Sequence, residues 1–227
     1  MILPEILEAI SARGLSYRGA FHSEVDGRLT SDEIGTLVLL GFTGRDNWSS
    51  FATSPEAADG MPDALDRWSL RVISELGQDL DATAIFPFRG PPWEPFLRWA
   101  QLAEPVFQSP IGMLIHPDWG LWHAWRGALA FHQRFDLPKP DRRTSPCESC
   151  AEKPCLTACP VRAFTPAGYN VQACTAHIST LEGVDCIYRG CRARLACPVG
   201  AQHRYSSAQM QFHMQAFRKT QKGSALI

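Results

Sequence analysis

The chain is 227 residues long, with 45% hydrophobic and 20% charged residues, enough apolar material for one or two folded domains, which excludes intrinsic disorder. No apolar run reaches the ~18 residues of a membrane-spanning helix, and the first ten residues carry no basic n-region, so a soluble cytoplasmic protein is expected. The net charge of −1 conceals a division: from Asp141 onward eleven Lys and Arg face five Asp and Glu, net +6, leaving eleven against eighteen, net −7, for residues 1–140.

Residues 4–13 read as a helix, with Ile6, Leu7 and Ile10 on one face, Pro4 at its start and Gly14 just past its end. The branched, apolar run 36–43 is a buried strand. Between residues 61 and 80, Leu65, Trp68, Val72, Ile73, Leu76 and Leu80 recur at helical spacing, and 84–88 looks like the strand that follows. The aromatic and proline-rich loop from Phe86 to Trp93 leads into a short helix at 96–103. Residues 111–115 and 121–131 read as two strands around the turn His116-Pro-Asp-Trp-Gly120. Strands alternating with helices make residues 1–136 an α/β or α+β domain, a candidate for cofactor binding or docking.

Residues 137–146, Leu-Pro-Lys-Pro-Asp-Arg-Arg-Thr-Ser-Pro, form a polar, proline-punctuated linker. Beyond it, hydrophobic periodicity weakens over 147–227, and a module with so little core is expected to be held together by what its thiols bind. A helix returns at the end, where Ser206-Ser-Ala-Gln209 suggests a capping box and Met210, Met214 and Phe217 follow at helical spacing as core residues.

All eight cysteines lie between Cys147 and Cys197. With no export signal, metal ligation is the expected use, not a disulfide framework. The first set runs Cys147-x2-Cys150-x4-Cys155-x3-Cys159-Pro160, the second Cys174-x11-Cys186-x4-Cys191-x5-Cys197-Pro198. Their endings repeat, Ala158-Cys-Pro-Val-Arg-Ala163 against Ala196-Cys-Pro-Val-Gly-Ala201, an internal duplication. Thiolates would add negative charge that Arg142, Arg143, Arg162, Arg189, Arg192, Arg194 and Arg204 offset. These basic residues interleave with cysteines and not with a stacking surface, which argues against a nucleic-acid patch while leaving a tRNA substrate open. Two structural zinc sites would draw on the same soft ligands, although the chain has one Cys-x2-Cys pair and two Cys-Pro endings.

The thiol spacing resembles the bacterial two-cluster ferredoxin run, with four residues between the second and third cysteines in place of two. In that arrangement the fourth cysteine of each run serves the other cluster. The resemblance therefore implies one [4Fe-4S] cluster on Cys147, Cys150, Cys155 and Cys197, and another on Cys159, Cys174, Cys186 and Cys191. Arg194 stands where the second run would carry its next cysteine, and Cys186 supplies the missing thiol.

Residues 145–205 look like the double-cluster domain that closes epoxyqueuosine reductases and reductive dehalogenases, proteins that join it to a cobalamin-binding domain of flavin-reductase-like fold. The segment from Ser109 through Ile-His-Pro, Gly-Leu-Trp and Arg126-Gly127 resembles cobalamin-processing proteins. That similarity implies a corrinoid or flavin beside His116, Trp122 and Arg126, although a His-Pro turn and a Trp-rich strand also serve packing. The resulting expectation is an α+β protein with a possibly flavin-reductase-like N-terminal domain and a ferredoxin-like domain carrying two iron–sulfur clusters. One-electron transfer from a redox partner protein follows, either as a corrinoid- or flavin-dependent oxidoreductase of the epoxyqueuosine reductase type or as a ferredoxin-type carrier. A zinc-stabilised adaptor is the third class, and no separate catalytic acid is visible.

Overall fold

The computed structural model describes residues 2–25 and 34–224. In chain order the elements are α1 (Leu3–Ala12), β1 (Ser16–His22), β2 (Thr36–Thr43), α2 (Trp48–Ala52), α3 (Pro55–Ala58), α4 (Ala64–Asp79), β3 (Thr83–Ile85), α5 (Phe96–Ala103), β4 (Phe107–Gln108), β5 (Leu114–Ile115) and β6 (His123–Phe131). They continue with α6 (Pro154–Thr157), β7 (Phe164–Thr165), β8 (Gly168–Tyr169), α7 (Val171–His177), α8 (Val184–Arg189), α9 (Arg192–Ala196) and α10 (Ser207–Ser224). No helix among the described residues is long and apolar enough to cross a membrane. The chain forms two compact units, one of Met1–Val106 with His123–Arg143, the other of Phe107–Trp122 with Thr144–Ile227.

The first unit is built on a four-stranded sheet ordered β1-β2-β6-β3, in which every pair is antiparallel, so this unit is α+β and has no parallel crossover. The uninterrupted apolar run of β2 follows from its central position: Leu37 to Leu40 and Phe42 are fully buried because both sides of the strand are covered. Helix α4 buries Leu65, Trp68, Val72, Ile73 and Leu76, and it packs on β3 and β6. Trp68 meets Phe42 at 5.5 Å between ring centroids. Helix α1 buries Ile6 and Ile10, and its first turn is closed by the Ile2 N–H donating to Glu5 Oε2 at 2.9 Å. Strand β3 is shorter than the expected 84–88, ending before Pro87, a residue without an N–H for the ladder.

A bulge in β6 positions its most prominent cation. Leu40 pairs with Gly127 and Gly41 with Trp125, leaving Arg126 as the extra residue. The two strands run so close there that a Cβ on Gly41 would lie 1.9 Å from the Ala124 carbonyl oxygen. The bulge turns Arg126 toward α4, where its guanidinium pairs with Asp66 and donates to Ser69 Oγ at 2.9 Å.

The second unit has a core rich in thiols. Ile111, Ile115, Leu121, Cys155, Ala193 and Cys197 pack together, with Cys147, Cys159, Cys191, Leu156 and Phe164 against them. Two short ribbons, β4-β5 and β7-β8, and five helices surround this cluster. Strand β5 pairs with β4, whereas the sequence suggested a hairpin between 111–115 and 121–131; the turn itself is closed by a two-way bridge between His116 and Gly120, both bonds at 2.9 Å. In α10, Ser206 Oγ accepts from the Gln209 N–H at 3.2 Å, but the Gln209 amide is buried without a partner, so only half of the suggested capping box forms.

The duplicated endings are also structural repeats. Helices α6 and α9 begin at equivalent positions of the two repeats, and Arg162 and Gly200, equivalent again, both adopt positive φ, 48° and 66°. Glycine is needed only in the second copy, because a Cβ on Gly200 would lie 2.4 Å from the Trp119 carbonyl carbon. Gly120 has the reciprocal constraint, its Cβ falling 2.0 Å from the Val199 carbonyl oxygen. This backbone contact seats the His116–Gly120 turn directly after Cys197-Pro198. It explains why residues 107–122 belong with the cysteines and not, as a division at the 137–146 linker implies, with the sheet.

Candidate functional site

The thiols lie on loops and on the ends of short helices. Cys155 sits in α6, Cys174 in α7 and Cys186 in α8, while Cys191 and Cys197 flank α9 as its caps. Burial raises the Cys147 thiol, and Cys197 and then Cys150 raise it further. Burial likewise raises Cys155, followed by Cys197, Cys147 and Cys150. Cys197 is raised by burial, opposed by the Val199 N–H, and pushed up by Cys150. Cys174 is raised by burial and by Cys191 and Cys159, against the pull of the Tyr169 hydroxyl. Cys186 is raised by burial, Cys191 and Cys174, with Arg192 opposing. Cys191 is raised by burial and Cys159 while the N–H groups of Arg194 and Ala193 lower it. The thiol neighbours of Cys147, Cys155 and Cys197 thus come from one group of four, and those of Cys174, Cys186 and Cys191 from the other. Among the described residues, no three Cys, His, Asp or Glu side chains converge as a site for a single metal ion.

The surroundings suit anionic sulfur. Backbone N–H groups approach Cys159, Cys191 and Cys197, the Ala163 N–H lying 3.4 Å from Cys159 Sγ. Arg192, Arg194 and Arg204 each favour the ionised form of a nearby thiol. Tyr169, which no spacing in the sequence singled out, hydrogen-bonds Cys174 and stacks on Phe164 at 4.7 Å. Four soft thiols in each group, N–H donors at sulfur and an aliphatic wall of Ile111, Ile115 and Leu121 fit an iron–sulfur cluster in chemistry.

Arg194 has a structural task that accounts for its place in the second run. Its Nε and Nη2 donate to the Leu121 carbonyl at 3.1 and 2.5 Å, and its guanidinium lies 4.4 Å over Trp122 and 4.5 Å over Tyr205. The three residues implied by the cobalamin-protein resemblance divide between the units. Trp122 is fully buried under Arg194, with its indole N–H unpartnered. His116 is buried, and its Nδ1 accepts the Asp118 N–H at 3.0 Å, an engagement that holds the turn. Arg126 belongs to the first unit, in the pair with Asp66 and Ser69.

Removing the Arg126 side chain should therefore lower the stability of the sheet unit. Arg126 is mostly buried and Asp66 partly exposed, and Ser69 Oγ keeps its bond to the Leu65 carbonyl. Arg126→Ala is expected to cost about 1–2 kcal/mol in urea unfolding. An unchanged midpoint would show that the pair contributes nothing to the fold.

No family model matches the sequence, and no curated protein does. Similar folds occur among solved epoxyqueuosine reductases. A selenomethionine-labelled epoxyqueuosine reductase aligns with a TM-score of 0.52 at 14% identity, covering 92% of this chain and 68% of its own. The enzyme from Streptococcus thermophilus aligns with a TM-score of 0.50 at 13% identity, covering 89% and 67%. A complex of epoxyqueuosine reductase with an epoxyqueuosine-modified tRNA-Tyr stem loop gives 0.48 at 15% identity, covering 90% and 66%. The chain thus spans about two thirds of the length of the structures it resembles, and at these identities the likeness is one of fold.

Proposed function

We propose that this protein is an iron–sulfur oxidoreductase that moves electrons singly through two [4Fe-4S] clusters, one on Cys147, Cys150, Cys155 and Cys197, the other on Cys159, Cys174, Cys186 and Cys191. The observation that carries this reading is the gathering of the thiols in one unit, Cys155 and Cys197 packed in one buried core with Cys147, Cys159 and Cys191 against it, and Cys186 with Cys174 in a second. Bound there, each cluster supplies a one-electron store. The protein's own part is to hold the sulfurs, with Ala163, Ala193, Arg194 and Val199 presenting N–H groups that favour negative charge. Ile111, Ile115 and Leu121 give Cys155 and Cys197 an apolar wall.

The fold shared with epoxyqueuosine reductases supports a reductase, and the resemblance of residues 109–127 to cobalamin-processing proteins makes a corrinoid or flavin the acceptor to test. A carrier without catalysis of its own is the alternative, and titration of cluster-replete protein with hydroxocobalamin and flavins separates the two. Protein purified anaerobically is expected to be brown and to hold about eight iron and eight acid-labile sulfide per chain. Stoichiometric zinc without labile sulfide in reconstituted protein would overturn the proposal and favour a zinc-stabilised adaptor.

A further inference from the structure

Two thiols of the second group, Cys174 and Cys186, pack beneath an apolar surface that is left exposed. Helix α8 turns Cys186 and Ile187 inward, against Ile178, Cys174, Met214 and Phe217. The same short stretch leaves Leu181 87%, Val184 43% and Tyr188 51% exposed. A single exposed apolar side chain is ordinary, but three within eight residues form a patch. With Ile178, Ile187 and Arg218 they line a shallow groove of about 400 Å³.

The charge around this groove has a sign. Arg218 lines it, and Arg189 and Arg192 gather at Asp185 beside Val184, with Glu182 the further acid of this stretch. Asp185 is already met by Arg192 at 2.5 Å and Arg189 at 3.5 Å, and the Arg189 side chain remains 78% exposed. An apolar centre within a basic rim fits an acidic protein surface: charge steers the encounter and the small apolar contact orients it. Transient redox encounters use contacts of such modest size.

We infer that the Leu181–Tyr188 surface is where a small acidic iron–sulfur carrier protein docks to deliver electrons. This rests on the cluster reading above. Electron transfer falls steeply with distance, and α8 exposes Val184 and Tyr188 of the patch while burying Cys186, so a carrier seated there would lie one helix from a thiol of the second group. The carrier loses one electron, the cluster held by Cys159, Cys174, Cys186 and Cys191 gains it, and no bond or proton need change.

The test uses anaerobically reconstituted full-length protein and a reduced acidic plant-type ferredoxin, with cluster bleaching followed by stopped flow. The wild-type rate should fall as salt rises, and the oxidised ferredoxin should slow amide exchange across residues 181–192. Leu181→Glu and Tyr188→Glu should each slow reduction by about tenfold or more, while reduction by dithionite stays at the wild-type rate. Arg189→Glu, a fully surface change that guards against misfolding of the apolar variants, should slow it as well and flatten the salt dependence. Equal rates for wild type and variants, or no reduction of wild type by ferredoxin, would overturn the assignment. So would variants that only dissociate a dimer, or only release anionic phosphatidylserine vesicles, at an unchanged ferredoxin rate. Iron and sulfide assays on the same samples separate the two proposals: absent clusters overturn both, whereas intact clusters with unaltered rates overturn the docking surface alone.

Discussion

Cys197→Ala is expected to lose about half of the iron, and to lose it from the cluster that Cys147, Cys150 and Cys155 hold at the far end of the unit's sequence. The thiol influences that raise Cys147 and Cys155 come first, after burial, from Cys197, and Cys197 lies in the same buried core as Cys155. Cys159→Ala should have the complementary effect on the cluster of Cys174, Cys186 and Cys191, since Cys191 and Cys174 both feel Cys159. A cubane deprived of one of four thiolates loses iron or falls apart, so the change is large and visible. Cluster-resolved EPR of the two variants after reduction would check the assignment. Signals lost according to sequence half, Cys159 with 147–155 and Cys197 with 174–191, would show that the endings do not cross over.

The second large effect is expected far from the cysteines, in the sheet unit. Arg18 is 1% exposed, yet it carries a full charge. Its Nη2 meets both oxygens of Glu104 at 2.8 Å, its Nη1 donates to the Phe42 carbonyl at 2.8 Å, and Nη2 lies 3.2 Å from His123 Nδ1. Trp125 Nε1 donates to Glu104 at 2.7 Å, and its ring lies 5.3 Å from the guanidinium. Burial raises the Glu104 carboxyl while Arg18 holds it down, so the carboxylate depends on the arginine for its charge. Arg18→Ala removes the guanidinium that meets both oxygens of the buried Glu104 carboxylate, at a cost of about 3–5 kcal/mol. Replacing both, as Arg18→Met with Glu104→Leu, should recover most of that, because no uncompensated charge remains. Urea unfolding of the three proteins followed by tryptophan fluorescence would check this. A double variant no better than Arg18→Ala would mean that packing of the guanidinium, and not its charge, is what the sheet needs.

This network also shows where sequence reasoning stops. Strand β1, Ser16-Tyr-Arg-Gly-Ala-Phe-His22, has no apolar run and holds an arginine at its centre, so no hydrophobic pattern marks it. Its buried Arg18 is met by Glu104, just past the end of α5, and by His123, residues distant in sequence. Helices α1, α4 and α5 were legible because each buries residues at helical spacing, and strand β2 because its apolar run is continuous and short. The hairpin expected between 111–115 and 121–131 was not realised, because β5 has a closer partner in β4 and β6 is claimed by β2 and β3. Strand pairing is chosen by partners, and a single strand's pattern does not name them.

Composition, period and cysteine spacing by themselves determined the clustering of the thiols, the presence of an internal duplication and most of the long helices. These are properties of short stretches of chain, and a short stretch displays them whatever it folds against. Only the tertiary structure decided that residues 107–122 join the cysteines, that Arg126 faces α4 from a bulge, and that Tyr169 and Arg194 serve the thiol unit. Each of these depends on contacts between segments tens of residues apart, such as the approach of Gly120 to Val199. Such contacts are settled by packing density and by the need to pair every buried charge and N–H, conditions that no local stretch of sequence expresses.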